Sequence, residues 1–228
     1  MNKIIIMAAD DILKTFQPKP LPAVIILNGE PGVGKLTVAQ KLKDFLTSFG
    51  IKVTFVDNHL LIDPTTAIAG EDRSDPFHWE TRTLFRKTAF KCMQKDPDSN
   101  TAFLFTSCLS TEKTGTDQFL EFFELATNRN LPLIFVQFRC DLDTLVRRAT
   151  SEERRKSNKG KLTDADVVRK LREMYTLLDP SKNTAQLINI SNNVLMSTLR
   201  FSELDVSEFT VEETASAVLN IILQGIYS

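Results

Sequence analysis

The residues best suited to chemistry lie in one glycine-rich stretch, GEPGVGKLT, at residues 29–37. Glycines let backbone N–H groups come close to a bound anion, and a lysine adds a positive charge that attracts phosphate. Three of the chain's eight glycines fall within the first six residues of this stretch. The pattern predicts a phosphate-binding loop whose candidate nucleotide ligands are Gly29, Glu30, Pro31, Gly32, Val33, Gly34, Lys35, Leu36 and Thr37.

The sequence on either side favours this interpretation over a tight turn without a ligand. Residues 23–28, AVIILN, form a continuous apolar run of strand length, which is typical of a strand buried on both faces of a parallel sheet. Residues 36–49 carry apolar side chains at helical spacing, and Gly50 follows as a helix stop. A strand, a glycine loop and a helix in this order are the context in which such a loop binds phosphate.

Asp57 ends the next predicted strand, IKVTFVD, and is the best candidate for a catalytic carboxylate. Ligands of doubly wound sheets bind beyond the carboxyl ends of the strands, so Asp57 should face the same crevice as Lys35. There it could activate an acceptor hydroxyl or hold a metal ion through water. A structural role as a helix cap is the alternative.

Four residues are candidates for binding the acceptor. Asn58 and His59 follow Asp57 directly, although His59 is explained equally well as a structural histidine. Arg82 and Arg86 are four residues apart in a predicted helix, so they lie on one face and could reach one anionic group. A solvated charged face would explain the two arginines nearly as well.

The elements that must position these residues alternate between strands and helices. Two predicted strands, TAFLFTSC and LPLIFVQF, are separated from each other and from the second strand by the predicted helices FHWETRTLFRKTAFKCMQ and DQFLEFFELATNR. The alternation predicts an α/β fold of three layers with a parallel sheet of about five strands. Residues 187–190 and 198–207 compete for the last strand, and residues 210–223 form a predicted helix that Thr210 and Glu213 begin as a capping box.

Two stretches differ from this regular pattern. Residues 17–22 contain three prolines and predict a connector, so residues 1–22 form an expected extension and residues 23–228 one domain. Residues 147–175 are charge-dense and predict exposed helices on either side of a mobile loop. Solvated helices or a patch that contacts RNA are the alternatives for the charged stretch.

The loop and the second strand resemble those of P-loop kinases that act on small molecules. GEPGVGKLT is similar to the GxPGxGKxT loop of adenylate kinases, and Asp57 is similar in place to the aspartate of shikimate kinases and chloramphenicol phosphotransferases. GVGKLTVA followed by DNHLLID resembles in particular bacterial kinase-like ATP-binding proteins of the AAA type. The resemblance begins at about Ala23 and implies a P-loop NTPase fold of the nucleoside-monophosphate-kinase kind, with ATP and Mg²⁺ as cofactors.

The same resemblance implies roles for residues of the loop. Lys35 would contact the β- and γ-phosphates and follow the transferred group. Leu36 stands where serine or threonine often binds Mg²⁺, and Thr37 would supply the hydroxyl instead. Thr37 and Asp57 are therefore the candidate metal ligands, with water between Asp57 and the ion.

The resemblance also implies an acceptor-binding insert at about residues 58–95 and a lid at about residues 150–165. Arg148 is similar in place to the arginine of the helix before the lid, while Arg154 and Arg155 are similar to lid arginines that stabilise the moving phosphoryl group. Gly160 is a candidate hinge of that lid. The turn after the last strand, with Val206 and Ser207, is a weak candidate for adenine binding.

Composition and missing motifs restrict the classes of partner, cellular compartment and nucleotide-binding protein that fit this chain. A net charge of −1 gives no global attraction for nucleic acid or a membrane surface, and the apolar start of the chain is too short for a membrane span. Three widely spaced cysteines indicate a reducing compartment, so we expect a cytoplasmic protein. No NKxD motif is present, and TAFLFTSC ends without an aspartate, which argues against GTPases and ordinary ATPases.

The sequence thus predicts an ATP-dependent phosphotransferase that moves the γ-phosphoryl group to a hydroxyl or phosphate of a small molecule. A kinase that acts on a polynucleotide or tRNA is one alternative, and a nucleotide-binding switch without acceptor chemistry is another. The partners expected are a nucleotide and a small acceptor. The preference for ATP over GTP and the choice between monomer and homodimer stay open.

Overall fold

The computed structural model of the 228-residue chain describes residues 21–72, 74–156, 162–182 and 197–227. Its centre is a parallel sheet of five strands: β1 (Ala23–Asn28), β2 (Val53–Val56), β3 (Ala102–Ser107), β4 (Leu133–Arg139) and β5 (Leu199–Asp205). Their spatial order is β2-β3-β1-β4-β5. The strand that leads into the glycine loop is therefore the middle of the sheet.

Helices cover both faces of this sheet. They are α1 (Lys35–Ser48), α2 (His59–Ala69), α3 (Pro76–Gln94), α4 (Lys113–Asn128), α5 (Leu142–Ala149), α6 (Glu152–Arg155), α7 (Ala165–Met174) and α8 (Val211–Tyr227). The three-layer α/β fold predicted from the alternation of strands and helices is confirmed.

Alternate residues of β1 explain why the sheet needs helices on both faces. Ile25 and Leu27 belong to a core that α1 and α8 complete. Val24 and Ile26 belong to a second core that is rich in phenylalanine and includes side chains from α3 and α4. All of β1 is buried, as the continuous apolar run predicts.

The carboxyl ends of the inner strands are tied together by a buried amide. Asn28, the last residue of β1, pairs in register with Ser107 of β3 and with Gln137 of β4. Its Nδ2 donates to Gln137 Oε1 at 2.7 Å, and its Oδ1 accepts from the backbone N–H of Leu109 at 2.6 Å. Three strand ends are thereby fixed directly beneath the start of the glycine loop.

The C-terminal elements resolve one alternative that the sequence left open. The last strand of the described chain is β5, which falls within residues 198–207, while residues 187–190 lie outside the described residues. The capping box before α8 is present: Glu213 N donates to Thr210 Oγ1 at 3.2 Å, and Thr210 N donates to Glu213 Oε2 at 2.9 Å. Most of the predicted extension and connector, residues 1–20, and the candidate hinge Gly160 lie outside the described residues as well.

The two helices between β2 and β3 occupy the stretch for which the sequence predicts an acceptor-binding insert. Asp75 caps α3 by accepting from the backbone N–H of Phe77 at 2.8 Å, and Pro76 occupies the first turn. The helices α2 and α3 pack against each other. Across the described ranges, no helix combines the length and the apolar character that crossing a membrane requires.

Two helical glycines test how closely α4 and α8 pack against their neighbours. A Cβ on Gly115 in α4 would lie 2.2 Å from the carbonyl oxygen of Ser110, whereas the nearest heavy atoms to a Cβ on Gly225 in α8 are 3.4 Å away. We expect Gly115→Ala to lower the free energy of unfolding by about 1–3 kcal/mol because α4 must move away from that loop. Gly225→Ala should be neutral or stabilise by up to about 1 kcal/mol, since alanine favours a helix. Denaturant unfolding of both variants checks this, and equal stability of the two would contradict the packing described.

Candidate active site

The glycine loop joins β1 to α1 through three glycines with positive φ. Their φ angles are 156° at Gly29, 99° at Gly32 and 105° at Gly34. Gly32 packs so closely that a Cβ there would lie 2.9 Å from the Cβ of Ala149, whereas a Cβ on Gly34 would meet nothing within 4 Å. Gly34 precedes α1 without a side-chain cap. The first N–H groups of α1 are therefore not capped by the residue before the helix, and such groups suit an anion.

Lys35 lies at the start of α1, with its amine turned back onto the loop. Its Nζ donates to the carbonyl oxygens of Gly29 at 2.6 Å and Glu30 at 2.9 Å. The side chain keeps some accessible surface, but protein atoms enclose the amine, and this burial is the main cause that lowers the pKa of Lys35 to about 8.

The charges that act on Lys35 identify its neighbours in space. Cys108 raises the pKa of Lys35, Arg154 lowers it, and Asp57 and Glu30 raise it. These four side chains come from the end of β3, the short helix α6, the end of β2 and the loop itself. Two further predicted catalytic residues, Asp57 and Arg154, thus act through their charges on the Lys35 amine.

Asp57 follows β2 directly and is buried. Val56 pairs with Phe105 in the register of β2 and β3, so Asp57 comes opposite Thr106. Thr106 Oγ1 donates to Asp57 Oδ1 at 2.8 Å and accepts from the backbone N–H of Asn58 at 3.1 Å. The carboxylate is therefore held at the carboxyl edge of the sheet by the neighbouring strand.

Arg154 belongs to α6, in the stretch for which the sequence predicts a lid. Its Nε donates to the carbonyl oxygen of Leu162 at 2.9 Å, and burial lowers the pKa of its guanidinium. Arg155, the next residue, is exposed. The predicted catalytic role of Arg155 stays a prediction.

Arg148 lies at the end of α5 and contacts backbone carbonyls. Its Nη2 donates to Val206 O at 2.9 Å, Ser207 O at 3.3 Å and Phe209 O at 3.3 Å. Its Nη1 lies 3.5 Å from Val33 O. These contacts fix the turn after β5 against the glycine loop, and a contact of Arg148 with the moving phosphoryl group stays a prediction.

The acceptor candidates divide into two groups. Arg82 is buried, donates to Asn58 Oδ1 at 3.0 Å and lies 5.1 Å from the ring centroid of Trp79. Arg82 also lowers the pKa of the Cys108 thiol, so its charge acts on the residue that directly follows β3. Arg82 and Asn58 are thus close to the carboxyl edge that carries Asp57.

The other two candidates have partners elsewhere. Arg86 is buried and forms a two-point ion pair with Glu121 of α4, with Nη2–Oε1 at 3.1 Å. His59 lies one turn before Asp63, with Nδ1 3.3 Å from its Oδ1. Acceptor binding by Arg86 and His59 stays a prediction.

Two polar residues at this edge, Thr106 and Cys108, are not among the site residues that the sequence predicts. The Cys108 side chain is exposed, but the surrounding protein raises the pKa of its thiol by desolvation, and Lys35 opposes that effect. The signal was present in the strand ending TSC, which places hydroxyl and thiol groups where an aspartate is absent.

The residues present suit a magnesium ion that binds largely through the nucleotide. Among the described residues, no group of three or more His, Cys, Asp or Glu side chains could hold a metal ion. Leu36 offers no oxygen, and Thr37 is exposed. Asp57 is the carboxylate among the predicted ligands, and Mg²⁺ commonly uses one or two carboxylates together with phosphates and water.

No protein-family model and no curated protein matches the chain. Solved structures with the same fold match the chain. Mycobacterium tuberculosis APS kinase CysC, in complex with AMPPNP and APS, has 14% identity and a TM-score of 0.53, with 90% of this chain and 99% of that chain covered. Acinetobacter baumannii shikimate kinase, in complex with shikimate, has 16% identity and a TM-score of 0.51 over 94% of this chain and 99% of that chain.

A kinase-like protein from Chloroflexus aurantiacus is similar as well, with 18% identity and a TM-score of 0.55 over 90% of this chain and 98% of that chain. The chain therefore has the fold of P-loop kinases, as its loop and second strand predict. At these identities the likeness concerns the fold alone.

The lowered pKa of Lys35 makes nucleotide binding depend on pH. The folded-state pKa of about 8 lies below the ordinary value of 10.5, so above pH 8 the amine loses its proton and its attraction for phosphate. We expect affinity for a non-hydrolysable ATP analogue to fall as pH rises through 8, approaching tenfold per pH unit. Calorimetry in buffers of different ionisation enthalpy should show proton uptake on binding in that range. Lys41→Gln, which removes an amine of α1 that pairs with Glu212 of α8, should keep this dependence, and constant affinity from pH 7 to 9.5 would contradict the assignment.

Proposed function

We propose that this protein is an ATP-dependent phosphotransferase that moves the γ-phosphoryl group of ATP to a hydroxyl or phosphate of a small molecule. The observation that carries the proposal is the Lys35 amine, which is turned back onto the glycine loop and is influenced by the charges of Asp57 and Arg154. These residues come from three separate elements and supply a phosphate-binding cation, a carboxylate and a second cation. Phosphoryl transfer needs these groups around one centre, because its catalysis is mostly positioning and charge stabilisation.

The glycine loop would bind the phosphates of ATP. Its N–H groups and the start of α1 offer donors, and Lys35 would exchange its contacts with Gly29 O and Glu30 O for phosphate oxygens. Arg154 would add positive charge on the opposite side of the moving group. Because α6 belongs to the predicted lid, its approach would also exclude water that could otherwise hydrolyse ATP.

Asp57 would orient the acceptor hydroxyl and accept its proton. A general base must lie within hydrogen-bond distance of the proton that it removes, and the bond from Thr106 holds one carboxylate oxygen in place. When Mg²⁺ is bound with ATP, it would neutralise charge on the β- and γ-phosphates, with Asp57 and Thr37 as the residues that would hold it through water.

Asn58 and Arg82 would bind the acceptor beside Asp57. The Asn58 side chain and the Trp79 ring hold the Arg82 guanidinium from two sides. A buried arginine with a fixed plane suits a carboxylate or phosphate, which it can bind through two parallel hydrogen bonds. An acceptor with an anionic group is therefore the class that this site favours.

Measuring ADP release across a set of acceptors tests the proposal. The set should include hydroxy acids, sugar phosphates, nucleoside monophosphates and a short RNA with a free 5′ end. We expect at least one small acceptor to raise ADP release well above the rate in water alone. A chain that binds ATP but shows no stimulation by any acceptor would instead support a nucleotide-binding switch, and stimulation by RNA alone would support a polynucleotide kinase.

Two substitutions separate the roles of the cation and the carboxylate. Lys35→Ala should remove nucleotide binding, because the phosphates lose their enclosed positive charge. Asp57→Asn should leave ATP binding near normal and lower transfer by at least about 100-fold, the contribution of a general base. Nucleotide titration and transfer assays measure both effects.

Asp117→Asn is the matched control for Asp57→Asn. Asp117 is half exposed, belongs to α4 and pairs with Lys113, so its loss should leave transfer unchanged. If Asp57→Asn weakens ATP binding as much as Lys35→Ala does, the role given to Asp57 is wrong.

A further inference from the structure

A second ion pair lies at the glycine loop, and it joins the loop to α7. Arg172 of α7 and Glu30 of the loop meet at two points: Nε lies 2.6 Å from Oε1, and Nη2 contacts Oε2. The exposed fractions of the two side chains are 28% and 14%, so water screens the pair only in part. A two-point contact between guanidinium and carboxylate fixes the relative orientation of both groups.

The same guanidinium also reaches the end of β4. Nη2 of Arg172 donates to the carbonyl oxygen of Cys140 at 2.7 Å. Cys140 directly follows β4, and Glu30 follows the last residue of β1 by two positions. Arg172 therefore bridges the carboxyl ends of two neighbouring central strands.

Glu30 is in turn linked to Lys35. Its carbonyl oxygen accepts from Lys35 Nζ at 2.9 Å and from Val33 N at 3.3 Å. The charge of Glu30 acts on the Lys35 amine, so the carboxylate is close to the place proposed for the phosphates. A carboxylate without a counter-charge there would repel a nucleotide, and Arg172 supplies that counter-charge.

The helix that carries Arg172 is also attached to the predicted lid. Val168 of α7 is buried in the core shared with α1 and α8, and Leu162 packs against the same core. Leu162 is the residue whose carbonyl oxygen accepts from Arg154. The lid arginine Arg154 is thus bonded to the segment that leads into α7. The same helix reaches Lys35 through Arg172 and Glu30.

We propose that Arg172 is a positioning residue that acts through Glu30. It holds the glycine loop and the C-terminal end of the lid in one arrangement, so that Lys35 and Arg154 face the same phosphate. The effect on transfer rests on the proposed function, while the effect on the loop does not require a nucleotide.

Hydrogen exchange on the nucleotide-free full chain tests the structural part. Arg172→Gln should speed amide exchange in residues 29–35 and in α7 at least about tenfold, because local opening loses its main restraint. The control is Arg169→Gln on the same helix, where Arg169 is exposed and pairs with Asp166 at 3.2 Å. It should leave exchange in the loop unchanged. Unchanged exchange in Arg172→Gln would overturn the proposal, and Arg172→Lys provides a milder variant if the first fails to fold.

A double-mutant cycle on binding of a non-hydrolysable ATP analogue tests the part that acts through Glu30. Arg172→Gln should weaken binding about tenfold, within the usual range of coupling between sites. Adding Glu30→Gln should recover most of the loss, because the uncompensated carboxylate is then gone. A double variant as weak as Arg172→Gln alone would overturn the proposal. If the wild-type chain binds no nucleotide, the proposed function fails, whereas the exchange experiment still decides the role of Arg172.

Discussion

The Lys35 amine is a positive charge enclosed at the carboxyl edge of a buried parallel sheet. The surrounding residues compensate in part for its lost hydration. Desolvation disfavours the charged amine, while the Gly29 and Glu30 carbonyls and nearby acidic groups favour it. A bound polyphosphate would stabilise the charged amine more fully. The loop is therefore arranged for an anion, and the chemistry proposed follows from that arrangement.

The sheet determines which groups can share this edge. Because β1 lies between β3 and β4, the loop opens at the centre of the strand ends, and the register brings Asp57 opposite Thr106. The Asn28 amide then fixes the ends of β1, β3 and β4 against one another. Residues far apart in sequence lie at one edge of the sheet because all the strands run in the same direction.

Arginines hold the helices at this edge in different ways. Arg148 secures the turn after β5 through carbonyl oxygens, Arg86 joins α3 to α4 through Glu121, and Arg172 joins α7 to the loop through Glu30. Arg154 differs from them because its charge acts on Lys35. The charge-dense stretch is thus only partly a solvated surface, since several of its arginines are part of the architecture.

Local pattern was enough to predict the glycine loop, the buried strand β1 and the capping box of α8, because each depends on neighbours within a few residues. The influence of Asp57 on the Lys35 amine agrees with the general geometry of parallel sheets. The partners of Arg86, Arg148 and Arg172 could not be predicted in this way. They lie 35, 58 and 142 residues away in the chain, and a helix pattern does not specify which carboxylate or carbonyl its arginines will meet.

The proposed function requires that Lys35 and Arg154 act on the same phosphoryl group, and binding of a transition-state mimic measures this shared action. The measurement compares the affinity of the wild-type chain and of Arg154→Gln for ADP alone and for ADP with aluminium fluoride. We expect the substitution to weaken binding of the mimic at least about tenfold more than binding of ADP, because the proposed role of the arginine is to stabilise charge that develops only during transfer. Equal weakening of both ligands, or no weakening of either, would contradict it.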